Sequence, residues 1–322
     1  MSLTIQHVNA DATFLITLNL PLPSLASAAE VSPSAFHILV DPWLHSDAPV
    51  FHPKFSNQLH TVVPAVTSLA ELSPTPNIIV VSQGKSDHCH EGTLKEFEWS
   101  AHPETRLHAC PDAASAIRAW KWFPQSQLSV IKKGVAARVE VPNPRSPELP
   151  AWVELEYIPA KWLWEMPGLH SAIGIKYFFS EAPSSSLSSS PTTKVISALF
   201  TPHGIPISAL RPWLKRLPGK RPQLALLLHP FTHVHSYMGG DISRGFPAGM
   251  GVCKVVDVGA WVSTHDEKKI IQGFVAGQIN EKKWGRQKVE EDLLAAGVEG
   301  VAAIDLGVSE QLTIDDGVVV DV

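Results

Sequence analysis

Four short apolar runs in this chain each break off at a polar segment that carries histidine. Asn77-Ile-Ile-Val-Val-Ser82 runs into Gln83–His90, Lys194–Phe200 into Thr201-Pro-His-Gly204, Leu224–Leu228 into His229, and the run through Trp261 into His265. Runs this short and this apolar read as buried strands. A buried strand has no free face, so polar chemistry placed directly after it collects at the strand ends, where loops converge. The chain is therefore constrained to a layered sheet structure with one chemically loaded edge.

The segments between these runs agree with layers of sheet and helix. Ala12–Leu18, Phe36–Val40 and Arg106–Cys110 read as strands, Glu91–Phe97 and Asp112–Trp120 as helices, the latter with Asp112 as its cap. Strand–helix–strand–helix over 77–120 is the signature of an α/β fold. Further strands are expected at 136–141, 152–157 and 173–179, with Trp152, Glu154 and Glu156 alternating against Val153, Leu155 and Tyr157. Residues 181–193 are a Ser-rich loop between paired strands, and the whole of 1–322 is expected to form a single domain. Ile207–Leu217 and Glu281–Ala295 read as helices, the glycine-rich stretches 239–240 and 245–251 as a loop near the mouth of the site, and the last 25 residues as an edge element.

Composition narrows the function classes. Hydrophobic residues make up 44% of the 322 and charged residues 18%, enough for a large core. The net charge of −5, with no long basic run, argues against nucleic acid as a partner. No apolar stretch reaches the roughly 20 residues needed to cross a bilayer, so no membrane partner is expected. Cys89, Cys110 and Cys253 form no close-spaced metal pattern, and their odd number suits a reducing compartment. Residues 1–7 show no secretory signal, and the expected location is cytoplasmic.

Asp87-His88-Cys89-His90 lies at a strand-to-helix turn. A hard carboxylate oxygen beside imidazole nitrogen suits zinc, iron or manganese. The same spacing allows a second reading, in which Asp87 only caps the helix that starts near His90. His229, His233 and His235 have a spacing that permits shared ligation, though their loop is expected to be exposed. His45, His52 and His60 are expected at the surface. Trp43, Trp162 and Trp164 either wall a pocket or fill ordinary packing. A serine hydrolase elbow and a phosphate-binding P-loop are both absent from the sequence.

The segment 82–90 resembles the first metal motif of metallo-β-lactamase-fold hydrolases, H-x-H-x-D-H, with Gln83 and Lys85 at its first two histidine positions. A closer likeness is to a branch of cyanobacteria and plants with the pattern Ser-Gln-Gly-x-x-Asp-His-x-His-x-x-Thr-Leu, which Ser82–Leu94 follows. Pro159-Ala-Lys, Trp162–Gly168 and Pro202-His-Gly204 share that likeness. Asp41-Pro-Trp-Leu44 and Trp261–Glu267 are similar to the broader lactonase-like group. The resemblance implies an α/β fold, a four-layer αββα sandwich of the metallo-β-lactamase type. It also implies one divalent metal ion, zinc foremost with iron or manganese as alternatives, rather than a dinuclear site. Asp87, His88 and His265 are the implied ligands, His203 a ligand or proton shuttle, His90 a fourth ligand or an orienting group, and Lys85 a catalytic cation. The implied activity is a metal-dependent hydrolase acting on a small ester, lactone, amide or phosphoester. A non-catalytic binding protein and a metal-assisted lyase or isomerase stand as alternatives, and the oligomeric state is left open.

Overall fold

The computed structural model describes residues 2–19, 35–143, 149–160, 168–181, 191–219, 222–237 and 239–321. The buried apolar runs form two sheets. The first runs from edge to edge through Val318–Asp321, Gln311–Asp315, Ser2–His7, Phe14–Asn19, Ala35–Val40, Ile78–Val81, Arg106–Ala109 and Leu128–Val130. The second runs through Ala302–Ile304, Val258–Val262, Leu224–Leu228, Thr192–Phe200, Ser171–Glu181, Ala151–Pro159 and Ala137–Glu140.

Strand periodicity decides which face each side chain meets. Phe200, Leu226, Leu228, Ala260 and Val262 share one apolar cluster with Leu3, Ile5, Ile16 and Ile38, so the two sheets face each other. Their neighbours Leu199, Leu227 and Trp261 point the other way, onto Leu210 and Trp213 of the helix Ile207–Leu214 and Val289 and Leu293 of the helix Arg286–Ala295. Leu94 of the helix Glu91–Lys95 and Ile117 of the helix Pro111–Ala119 cover the first sheet. The result is the expected four layers, αββα.

The parallel pairs explain why polar loops gather. Ala35–Val40 runs parallel to Ile78–Val81, and Thr192–Phe200, Leu224–Leu228 and Val258–Val262 run parallel to one another. All five strands thus end at the same edges of their sheets. Main-chain bonds from Asp41 to Val80, Thr201 to Leu228 and His229 to Val262 hold the departing loops in step. Two small sheets flank this edge: Ile270–Gln272 with Ser56–Leu59 and Ala48–Val50, and Gly240–Arg244 with His233–Ser236 and Ile279–Lys282.

Several expectations change. Residues 245–251 are not a loop but part of the helix Gly245–Cys253, which opens at Gly245 with φ +47. A Cβ there would lie 2.5 Å from the carbonyl carbon of Thr232, so only glycine fits the crossing. The stretch 281–295 is split, because Ile279–Lys282 pairs with His233–Ser236 and the helix starts only at Arg286. Asp112 does not cap its helix; Cys110 holds the cap position without a side-chain bond, and Asp112 Oδ2 accepts from Gly84 N at 3.0 Å. The strand Ser2–His7, paired on both sides, was not foreseen. The strands Ser171–Glu181 and Thr192–Phe200 that flank the Ser-rich segment do pair, antiparallel, while residues 182–190 lie outside the described residues, as do Lys161, Trp162 and Trp164. All three cysteines are free and buried. Among the described residues no helix is long and apolar enough to cross a membrane.

The helix Gly245–Cys253 offers a paired test of packing against propensity. A Cβ on Gly249 would meet the Trp261 ring at 2.1 Å, whereas one on Gly251 meets nothing within 4 Å. Gly249→Ala is expected to lose about 1–3 kcal/mol of stability through overpacking. Gly251→Ala is expected to gain up to about 1 kcal/mol from helix propensity alone. Urea titrations of the two variants check the opposite signs.

Candidate metal centre

Asp87 and His88 sit in the turn after Ile78–Val81. The turn is closed by Lys85, whose carbonyl accepts from His88 N at 3.0 Å and Cys89 N at 2.7 Å. Gly84 N bonds Asp112 and Ser86 Oγ bonds Pro49 O at 2.7 Å, pinning both shoulders of the turn. His203 follows Thr192–Phe200, where Thr201 Oγ1 bonds Ser171 O and Gly204 takes φ +71. His265 follows Val258–Val262 at φ +57, and its N donates to Asp11 O at 2.7 Å. A histidine in the left-handed region is uncommon and is held here by its surroundings.

These three pieces of chain meet. One candidate ligand atom from each of Asp87, His88, His203 and His265 lies within 4.8 Å of all the others. Nε2 of His88 is 2.9 Å from Nε2 of His203 and 3.8 Å from Asp87 Oδ2, which is 3.9 Å from Nε2 of His265. Tetrahedral zinc with bonds of roughly 2.0–2.1 Å sets its ligand atoms about 3.3 Å apart, within the same range.

The outward faces of the rings fix which nitrogen points inward. His88 Nδ1 lies 2.8 Å from Asp41 Oδ2, His203 Nδ1 3.0 Å from Ile242 O, and His265 Nδ1 2.7 Å from Asp11 Oδ2. The Asp41 and Ile242 oxygens can only accept, so Nδ1 of His88 and of His203 carries a proton, while His265 Nδ1 lies between the Asp11 carboxylate and the Lys269 ammonium, 3.2 Å from the latter. A ring so anchored, when it carries no second proton, turns a lone pair inward through Nε2. This is the arrangement that metal-bound histidines adopt, their outer nitrogens anchored by carboxylate or carbonyl. The fourth group fits as well: Asp87 Oδ1 is buried without a hydrogen-bond partner, while Oδ2 accepts from Gln58 Nε2 at 3.2 Å. A buried carboxylate set among three imidazoles is costly unless a cation or proton lies among them. The cluster can hold a metal ion.

Protonation follows the same geometry. Burial pushes the His88 imidazole down, but Asp87 and Asp41 outweigh it and hold its pKa above the usual value. Burial, reinforced by His265 and His88, drives His203 well below it. Burial raises the Asp87 carboxyl, and His88, Lys269 and His265 more than reverse this. Asp11, fully buried, is raised by burial and pulled further down by His265 and Lys269, ending well below the carboxylate range. Lys269 Nζ lies 2.9 Å from both Asp11 oxygens.

The remaining predicted residues fall elsewhere. His90 is outside the four-residue group: its Nδ1 caps the helix Glu91–Lys95 by accepting from Thr93 N at 3.0 Å, and burial lowers its pKa to about 4. The cap is therefore His90, not Asp87. Lys85 lines a pocket together with Asp87, His203 and His265. Gln83 is buried and donates to Leu169 O at 3.0 Å. His229 is buried rather than exposed, its Nδ1 2.9 Å from Pro230 O, and it stands outside the cluster. His233 and His235 both reach Asp241 Oδ1, at 2.9 and 3.0 Å, on a small flanking sheet. His60 is tied to Glu267 at 2.6 Å and packs on Trp43, which is fully buried and is not part of the lining of the pocket that holds Lys85. Asp41, Asp11, Gln58 and Lys269 were missed as site residues. Of these only Asp41 carried a signal, the Asp-Pro-Trp-Leu motif.

Comparison with known proteins tests the architecture. The structure superposes on an isothiocyanate hydrolase from Delia radicum gut bacteria with a TM-score of 0.56, covering 96% of this chain and 98% of that one at 12% identity. The fold is that of the metallo-β-lactamases. At that identity the likeness extends to the fold and no further. A second similar structure is YhfI of Bacillus subtilis, a metallo-β-lactamase fold protein, at TM-score 0.49 and 10% identity over 97% of this chain and 100% of that one. No protein-family model matches the sequence, and no curated protein does.

The Asp11 carboxylate gives a pH test. Its folded pKa is depressed, so its contribution to stability is complete above the ordinary value of 3.8 and is lost as pH falls below it. Asp11→Ala leaves the Lys269 ammonium without its counter-charge and is expected to cost about 3–5 kcal/mol at pH 7. It should also flatten the loss of stability between about pH 4 and pH 2. Chemical denaturation across that range in chelator checks both effects.

Proposed function

We propose that this chain is a metal-dependent hydrolase with a mononuclear centre, zinc being the fitting ion, that acts on a small ester, lactone, amide or phosphoester. The observation that carries this reading is the convergence of the His88, His203 and His265 rings on the Asp87 carboxylate, one ligand atom of each within 4.8 Å of the others, with the His88 and His203 rings locked by outer acceptors. Asp87, His88 and His265 would hold the ion. A divalent ion in such a site supplies Lewis acidity and lowers the pKa of bound water towards roughly 7.

The other roles belong to the chain itself. His203 is the member of the cluster with the most strongly lowered basicity, so at neutral pH its Nε2 is a free proton acceptor when a cation, rather than a proton, satisfies His88. Its Nδ1 bond to Ile242 O keeps that acceptor aimed at the cluster. Lys85 lines the same pocket, which supports a role for its ammonium in stabilising negative charge that develops on a substrate oxygen. Gln83 and Lys85 occupy the positions where the resembling dinuclear enzymes carry two histidines. An amide and an ammonium there favour one ion over two, in keeping with the resemblance to the Ser-Gln-Gly-x-x-Asp-His-x-His branch.

Metal analysis of protein purified without added metal is expected to find about one zinc, iron or manganese ion per chain. The Asp87→Ala/His88→Ala pair should abolish it. A chain that binds no metal even after soaking is instead a non-catalytic binding protein, and retained metal in the double variant overturns the ligand assignment. Loading should also release a proton. In the stripped chain one proton satisfies the 2.9 Å contact between His88 and His203, on His88 whose pKa is raised, and the incoming cation displaces it. Calorimetry in two buffers of different ionisation enthalpy is expected to show proton release on loading, and tighter binding as pH rises.

A further inference from the structure

The pocket above the cluster has two unlike ends. Its volume of about 420 Å³ falls in the range of small-molecule sites. Asp87, His203 and His265 form the floor. The walls are apolar, from Val50, Leu169, Val234, Ile242, Ile271 and Ile279. At the mouth stand three phenylalanines. Phe51, Phe55 and Phe274 are 76%, 41% and 56% exposed, and their rings form a chain with centroids 5.8 and 6.5 Å apart. Large exposed apolar side chains gathered into one patch mark a binding surface.

This collar is built, not incidental. Phe274 N bonds Lys54 O and Val275 N bonds Phe55 O, both at 3.0 Å, so the two segments carrying the rings are stitched together. The stitch needs Gly273 at φ +91, where a Cβ would lie 2.8 Å from Phe55 O. Phe51 takes φ +62, which a bulky residue rarely adopts. Charge along the lining is balanced. Lys85, Lys268, Lys269 and Lys283 contribute the basic groups. Asp87, Asp266, Glu267 and Glu281 contribute as many acids, and the Lys269 ammonium is already taken up by Asp11.

We propose that the pocket takes an uncharged ester or amide whose cleavable carbonyl lies at the cluster and whose apolar arm, a medium-length acyl chain or aryl group, is gripped by Phe55 and Phe274. The assignment of the cleavable group rests on the hydrolase reading above. The assignment of the apolar arm rests on the collar and walls. In the reaction water adds its oxygen to the carbonyl carbon, the bond to the alcohol or amine breaks, and the leaving group departs with a proton.

Metal-loaded protein would be assayed on p-nitrophenyl acetate, butyrate, hexanoate and octanoate. kcat/KM is expected to rise about three- to fourfold per methylene until the pocket is filled. Phe55→Ala/Phe274→Ala should cut the octanoate-to-acetate ratio by about tenfold or more, and Phe55→Leu/Phe274→Leu should restore most of it. A flat series in the wild type, with acetate cleaved, overturns the apolar arm and leaves the hydrolase intact. If no ester is cleaved, the hydrolase reading has failed, and the apolar arm is judged by Nile red binding. Saturable fluorescence, displaced by octanol and lost in the double alanine variant, supports it; no binding, or equal binding to the variant, overturns it. Thermal melts of both variants confirm that they fold.

Discussion

Three imidazole lone pairs and a carboxylate oxygen cannot share one buried space unless something positive joins them. Asp87, His88 and His203 are almost completely buried, and the His265 side chain is 7% exposed. Leaving such groups uncompensated costs several kcal/mol each, on the order of the whole stability of a domain. Much of the surrounding structure acts to impose that convergence. Asp41 is fixed by Ser82 through both carboxylate oxygens and by Thr13 on its carbonyl, and only then is it free to orient His88. Asp11 does the same for His265 from a turn built by Asn9, whose Oδ1 takes the N–H of Asp11 and of Thr13.

The energetic role of the chain's beginning follows from this. Ser2–His7 and Phe14–Asn19 are interior strands of the first sheet, and the turn between them supplies Asp11 and Asn9 to the centre. The same region is tied to the far end of the sequence, through His7 Nδ1 to Leu306 O and Glu310 O to His7 N. His265 of the candidate metal centre is thus oriented by a residue more than two hundred positions away. Loosening that hairpin would misaim His265 without touching any candidate ligand.

What the sequence disclosed was set by how local each signal is. The buried strands were legible because apolar runs are contiguous, and Asp87, His88, His203 and His265 because each follows such a run directly. Parallel pairing then brings strand ends together, so the convergence was implied by topology. Asp11 and Lys269 were not legible. They lie 258 residues apart, in polar turns whose composition is that of any surface loop, and only the closed fold makes them an ion pair. His90 misled for the opposite reason. Its place beside Asp87-His88 suggests ligation, but a side chain that caps the next helix has its acceptor turned toward the main chain.

The departures at Gln83 and Lys85 bear on how the pocket and the centre belong together. A second cation near Lys85 would face an ammonium that its own histidine-bearing counterparts do not present. Gln83 is committed to Leu169 O, and Leu169 is itself a wall of the pocket. The residue that replaces a potential ligand therefore anchors an apolar surface instead. In a dinuclear centre, bound water and cationic charge would extend further along the floor and favour polar substrates. The single ion proposed above would confine the charge to one cluster and leave the adjoining walls free to be apolar, as Val50, Leu169 and Ile242 are. On that proposal a reduced metal capacity and a greasy pocket would both follow from Gln83 and Lys85.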